Sequence, residues 1–505
     1  MKDDNKLIVP KNNNVKKLEK TGKIVVSELR TIIKKSNINL KIIGCVLGLI
    51  LVILLGSMLF KDKDVDYPVI YNSSENELYL MDTKDKKMED AVKLAKNESI
   101  NNVLYANETN KYVLFEKDGN LYLYDSSKKD ATTKIIDNVT FYTFSDDDKF
   151  IIALDNQANL MVYNYKETTK IESDVSEIIK IFEDKIIFEK EDKVYIRSIN
   201  PKKDNRKKIT ENYNFYLKFN GKKIIYINKD KELVTYDVKK EKEEVIGKDV
   251  SGYYCDTEEC DTLFYIENTD QKSIYYYDGK NSESVAKDVY AINATSVEDK
   301  MVVYSVVKDG EYTLYYQKVG SEAVKIEDKL TTIRTVKIFE GKDIYYINGK
   351  NEIKYVKIKG NKLSDVSKIG EDVTGYLYLY KDGYAYVADV DKSANGTLFL
   401  VKNGKTKKID TDVNNNLITV SKDGKDIYYL KNYKTSGDLY VTSGGKGKKI
   451  TDDVYTFEYI KDKLIYYIRD YNIGQSKGDL YRYTGKNTKI AEDVTKIANS
   501  PVYYK

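Results

Sequence analysis

From Tyr67 onward, apolar and polar residues alternate in short runs broken by Asp, Asn and Gly, the pattern of strands joined by tight turns. One unit shows the scheme. Within residues 138–174, the segments 140–144, 150–154, 160–165 and 170–172 read as four strands. Residues 145–149 and 155–159, rich in Asp and Asn, supply turns between them. Second strands further along are the most apolar: DIYYIN at 343–348, DIYYL at 426–430 and KLIYYI at 463–468. Such β-branched and aromatic content suits a sheet covered on both faces. In the pairs Tyr253-Tyr254, Tyr345-Tyr346, Tyr428-Tyr429 and Tyr466-Tyr467, one ring is expected to pack between sheets and the other to face the adjacent sheet.

A short signature closes each unit. It reads Asn138-Val139, Asp174-Val175, Asp249-Val250, Asp288-Val289, Asp372-Val373, Asp412-Val413, Asp453-Val454 and Asp493-Val494, with degenerate copies at Glu211-Asn212-Tyr213 and near Asp328-Lys329-Leu330. Neighbouring copies lie 36 to 43 residues apart. A period near forty is what four strands per propeller blade require. Ten units fit between residues 99 and 493, and the chain ends complete an eleventh. There, 67–72 and 77–81 read as strands two and three, and 495–505 is expected to supply the missing strand one. The fold expected is therefore all-β: a β-propeller array of about eleven four-stranded blades, preceded by a single transmembrane α-helix. Two rings are expected rather than one unusually wide ring.

The helix is read from Ile42 to Phe60, a charge-free run of 19 residues. At ~1.5 Å per residue it covers roughly 28 Å, about one hydrocarbon core. Residues 1–41 carry eleven Lys and Arg against four acids, leaving 73 basic and 76 acidic side chains beyond them. The positive-inside rule then places the N-terminus in the cytoplasm and the region from 67 to 505 outside, after a short linker at 61–66. A long n-region and a poor cleavage site at Gly56-Ser57-Met58 argue for an uncleaved anchor. The near-neutral large region excludes an extended basic face for nucleic acid.

Ser421-Lys422-Asp423-Gly424-Lys425, before an apolar strand, matches apart from its missing Pro the turn of bacterial TolB-type propeller repeats. Ser145-Asp146-Asp147-Asp148-Lys149 is a looser copy. On these turns and the period, the chain resembles the TolB-type and YWTD-like propeller families. That resemblance implies a fold over about 430 residues and no particular activity. A YWTD tetrad is missing, since the chain has no Trp.

The chain also has no His, which removes Ser-His-Asp and Cys-His catalysis and the commonest transition-metal ligand. No catalytic, cofactor or metal site is assigned. Cys255 and Cys260 flank a hairpin tip, where a disulfide, two free thiols or a metal missing its other ligands are the alternatives. Asp389 to Gly396 has calcium-loop spacing at first, but Ala394 and Leu400 occupy the positions that need Gly and a bidentate acid. A polar turn is the better reading. Connections between strands two and three lengthen in the last three units, at 389–397, 431–438 and 469–479. Asp391, Asn395, Tyr433 and Tyr471 on these loops are the candidate ligand contacts, the two Tyr as exposed aromatic surfaces.

The expectation is a membrane-anchored, extracytoplasmic binding or scaffolding propeller for a protein, peptide or cell-wall glycan. Its alternatives are a carboxylate-based glycan-active enzyme and a sensor signalling through the tail. Added protease reaching the outer face of the membrane is expected to digest residues 67–505 in intact cells. Protection of that region under those conditions would contradict the orientation.

Overall fold

The computed structural model describes residues 69–497 apart from 76, 82–90, 97–102, 106–111, 126–127, 129–131, 204, 258–259, 269–270, 374–376, 381–382 and 462. The basic tail (1–41), the apolar span (42–60) and the linker (61–66) lie outside the described residues, as does the C-terminal segment 498–505. No helix among the described residues is long and apolar enough to cross a membrane.

The described chain is all-β and built from repeated antiparallel sheets. Seven sheets stand separately, spanning 103–136, 139–172, 175–210, 213–247, 250–286, 291–330 and 333–370. Six have four strands paired in chain order, and the last has a fifth short strand. In the unit read above, the strands are Val139–Phe144, Ile151–Asp155, Leu160–Tyr163 and Thr168–Glu172, within a few residues of the expected positions. The rest, 69–96 with 378–497, forms one continuous sheet of thirteen strands. This is a β-propeller repeat.

The continuous sheet follows the same plan. Lys405–Val420 pairs through its first part with Asn395–Lys402 and through its second with Ile427–Lys431. One long strand thus serves as strand four of one unit and strand one of the next. Lys448–Lys461 does the same, and so does Asn487–Ile497. The second partner of Asn487–Ile497 is Val69–Ser73, through Tyr71 opposite Ile497 and Asn72 opposite Lys496. The end of the chain therefore supplies a strand to its beginning.

The Asx–Val signature has a local cause. Asn138, Asp174, Asp249, Asp288, Asp372, Asp412, Asp453 and Asp493 all have φ between 47° and 58°. Asn and Asp tolerate this left-handed region better than other residues with a side chain. The Val that follows is buried in each of the eight units. Its amide commonly reaches back to the strand two–three turn of its own preceding unit, as Val250 donates to Lys231 O at 2.7 Å. The carbonyl of the left-handed residue accepts from the next unit: Asn156 to Asn138 at 2.7 Å, Asn268 to Asp249 at 2.8 Å and Asn432 to Asp412 at 2.8 Å. Ser74 donates to Asp493 O at 2.7 Å, so the junction between chain end and chain start carries the same bond.

Apolar clusters lie between sheets. Leu114 and Leu121 pack with Tyr142 and Ile151 of the following unit, and Ile187 and Ile196 with Ile224 and Tyr226. In the Tyr pairs of second strands, adjacent rings serve different interfaces. Tyr346 packs toward the preceding unit and Tyr345 toward the following one; Tyr429 and Tyr428 divide in the same way. Tyr467 and Tyr466 divide in the same way again. Tyr346 and Tyr429 also reach across an interface with their hydroxyls. Tyr346 donates to Glu327, and Tyr429 to Asp410 at 2.8 Å, both on strand four of the preceding unit. Burial, reinforced by those carboxylates, pushes both phenol pKa values up.

The turns that carry the family resemblance share one geometry. Ser421 donates to Asp423 at 2.8 Å and accepts from the Asp426 amide at 2.9 Å, with Gly424 at φ 67°. Ser145, Asp147 and Phe150 repeat these bonds at 2.9 and 3.0 Å, with Asp148 taking the place of Gly at φ 54°.

Asp288 is exposed and makes no side-chain bond among the described residues, so it isolates the backbone effect. Asp288→Val is expected to cost about 1–2 kcal/mol, the strain of a left-handed residue with a side chain, while Asp288→Gly leaves stability unchanged or slightly raised. Thermal unfolding of both variants checks this; equal melting temperatures would contradict it.

Candidate functional site

The long strand two–three connections were the sequence-based candidates, and their residues do meet. Asp391 turns inward on its own loop, accepting the amides of Ser393 and Asn395 at 2.8 and 3.0 Å. The Asn395 amide donates to Tyr433 O of the next unit at 2.9 Å. Tyr433 donates its hydroxyl to Tyr455 O at 3.2 Å. Tyr455 then stacks on Tyr471 with ring centroids 3.8 Å apart and planes 5° from parallel. Tyr433 and Tyr471 are half-buried and pack on apolar clusters, unlike the exposed surfaces expected of them. Asn395, Tyr433 and Tyr455 form a chain of contacts that fastens consecutive units together, with Tyr471 stacked on its end.

A second arrangement lies on the first strands of two consecutive units, Tyr213–Phe219 and Val250–Tyr254. In the first of these, pairing to Lys223–Asn228 slips between Phe215 and Lys218, where three residue steps oppose two. The extra residue makes a bulge. Tyr216 occupies it with φ 56°, a conformation that is strained for a bulky side chain. Tyr216 is nevertheless 61% exposed. Its ring is held edge-on by Phe215 at 4.6 Å and by Tyr253 at 6.4 Å, and the Tyr253 hydroxyl donates to Tyr216 O at 2.8 Å. Burial pushes the Tyr253 phenol up, so it stays a neutral donor to that carbonyl.

Tyr254 is 39% exposed, and its phenol is pushed up by partial burial and secondarily by Tyr216. Of the Tyr pairs, Tyr253-Tyr254 departs from the packing role expected, because it sits on a first strand and turns one ring outward. A Cβ placed on Gly252 would meet nothing within 4 Å, so open space adjoins the same strand. Tyr216, Tyr254 and the gap at Gly252 make an aromatic shelf.

The shelf is braced from behind. Cys255 and Cys260, directly after Tyr254, are joined with Cα atoms 5.3 Å apart, and Cys260 is buried. On one side of this turn, Asp261 accepts from the Asn220 amide of the preceding unit at 2.8 Å. On the other, Asp256 accepts the Thr295 hydroxyl at 3.2 Å and the Val297 amide of the following unit. Of the three alternatives that the sequence left for the Cys pair, the structure has the disulfide. The shelf it supports was not, because a bulge and a neighbour's hydroxyl leave no local pattern.

Among the described residues, no group of three or more His, Cys, Asp or Glu side chains is placed to hold a metal ion. Carboxyl groups with displaced pKa values move downward. The Asn348 amide and the Lys354 ammonium hold Glu352 at about 2, and the Lys425 ammonium with the Ser421 hydroxyl holds Asp423 at about 2.

No family model matches the chain. No curated protein matches it either. Among solved structures, it is similar to the tricorn protease at 13% identity and a TM-score of 0.29, over 85% of this chain and 58% of that one. The β-propeller domain of the Trilobed protease from Pyrococcus furiosus gives 11% and 0.28, over 58% and 98%. PorZ, a surface component of the type-IX secretion system of Porphyromonas gingivalis, gives 10% and 0.23, over 83% and 73%. The chain spans only 58% of the tricorn protease and 50% of a prolyl endopeptidase that it also resembles. Likeness at this level says nothing of activity, and the fold rests on the sheets themselves.

Proposed function

We propose that this chain is a membrane-anchored, extracytoplasmic binding propeller whose Tyr216–Tyr254 shelf takes a glycan. The strained, exposed Tyr216 carries the reading. Strain of about 1–3 kcal/mol persists only where surrounding contacts enforce it, and such outliers gather at ligand sites. Here Phe215 and Tyr253 spend a ring contact and a hydrogen bond on keeping an aromatic face in solvent. An aromatic face with a polar rim suits the apolar face of a pyranose ring. The basic segment ahead of the apolar run from Ile42 to Phe60 supports the anchor and its orientation.

The same reading makes the repeat one ring of eleven blades, in place of the two rings expected from the count. Splitting the thirteen-stranded sheet at its three double-duty strands yields four units beside the seven separate ones. Eleven apolar clusters among the described residues support a single closure, since each joins one unit to the next along the chain. The last two complete the circuit: Val69 and Tyr71 with Leu480 and Val494, and Leu78 and Leu94 with Val113 and Phe115. In such a ring first strands face the centre, so the shelf lines the channel.

Binding of β-1,4-linked N-acetylhexosamine oligomers to the detergent-solubilised full chain tests the proposal. Tyr216→Gly is expected to weaken binding about tenfold or more, the scale of a Tyr anchor, while its melting temperature holds or rises as strain is relieved. Gly252→Phe, which fills the gap, is expected to weaken binding without destabilisation. Retained affinity in both variants would refute the shelf.

A further inference from the structure

A second cavity system lies on the side chains bordering the strand three–four connections of consecutive units. One groove of about 490 Å³ is bordered by Lys185, Arg197, Lys207, Lys222 and Lys239, with Asp237 as its carboxylate. Another of about 550 Å³ is bordered by Lys170, Arg197 and Arg206, with Glu172 and Pro201. Arg197 borders both. The two grooves thus present seven cations against two carboxylates, on a region of the chain whose overall charge is slightly negative.

Arg197 is the pivot. It is only 4% exposed. Its Nη1 donates to Ile171 O at 2.5 Å and to Glu172 Oε1 at 3.0 Å, and its Nε to Ser198 O at 3.3 Å. Nη2 makes no hydrogen bond among the described residues. Its two N–H donors remain for a ligand in the grooves that Arg197 borders. Glu172 is fixed by Arg197 and by Arg206 at 2.9 Å, with Lys190 at 3.9 Å, so it orients the two guanidinium groups. Further counter-charges are Glu241 on Lys207 at 2.5 Å and Asp184 on Lys185 at 3.4 Å. Lys170 and Lys222 are exposed, and their ammonium groups make no hydrogen bond or ion pair among the described residues.

We propose that the two grooves bind a phosphate-bearing chain, with one phosphate on the Nη2 donors of Arg197 and flanking phosphates on Lys170 and Lys222. Guanidinium N–H groups donate charge-assisted bonds to phosphate oxygens, and lysines supply point charge along the chain. Two cavities meeting at one buried Arg favour a linear polyanion over a single free anion.

Labelled linear polyphosphate, titrated into the full chain in detergent, tests the site. Saturable binding that weakens with rising salt is expected. Lys170→Glu combined with Lys222→Glu is expected to weaken it about tenfold or more through added repulsion. Reversing two exposed lysines elsewhere, Lys280→Glu with Lys392→Glu, is expected to change it less than about twofold. Equal loss in both pairs would reduce the effect to net charge and overturn the proposal. So would absence of saturable binding. Capture of phosphatidylglycerol vesicles, but not of polyphosphate, sensitive to the Lys170/Lys222 pair would assign the grooves to a lipid headgroup and overturn the chain-ligand reading. Inorganic phosphate competing as well as polyphosphate would do the same.

Discussion

A sheet that is apolar on both faces needs a neighbour on each side, and nearly every other feature of this protein follows from that need. Strands Asp343–Asn348 and Gly383–Ala388 are buried at all six positions. Adjacent residues in a strand point to opposite faces, so Tyr345 and Tyr346 stabilise two different interfaces at once. A buried aromatic removes roughly 150–250 Å² from water, and leaving one face uncovered would expose several such rings. The repeat therefore has no stable end. Val69–Ser73 accordingly receives a strand from Asn487–Ile497, and the Ser74–Asp493 bond repeats what the internal junctions use. Closure also removes the open sheet edge that would otherwise recruit another chain.

Much of this was legible in the residues because the junction between units is a backbone requirement. A left-handed residue followed by a buried strand start selects Asn or Asp and then Val, and that selection appears in sequence as a signature of fixed period. The Ser-x-Asp turns were readable for a similar reason, since Ser421 and Asp423 bond only within their own turn. At one of the two degenerate copies the rule lapses: Tyr213 follows Asn212, which lacks the left-handed conformation, and its unit carries the strained Tyr216, whereas Lys329 before buried Leu330 keeps it.

What sequence could not show depends on partners from other units. Loop length marked Tyr433 and Tyr471 as exposed, but Tyr455, on the strand between them, takes up the Tyr433 hydroxyl and the Tyr471 ring. Tyr254 was read as packing because it sits in a Tyr pair, yet it ends a first strand and is 39% exposed. The shelf and the Arg197 grooves depend on contacts between residues 37 and 26 positions apart, in neighbouring repeats. Repetition that makes the scaffold legible thus hides the sites, which arise where a unit departs from its neighbours.

Closure of the repeat on itself is the claim on which the ring, its channel and the shelf's setting depend. Asn72 and Lys496 lie directly opposite each other across the closing strand pair, within the range that an engineered disulfide spans after small adjustments. Asn72→Cys with Lys496→Cys, in a Cys45→Ser background and under mild oxidation, should form an intramolecular bond in the folded monomer, detected by mass mapping of non-reduced peptides. Free thiols at both positions in folded protein, or bonds only between separate molecules, would contradict a ring closed by its own C-terminal strand.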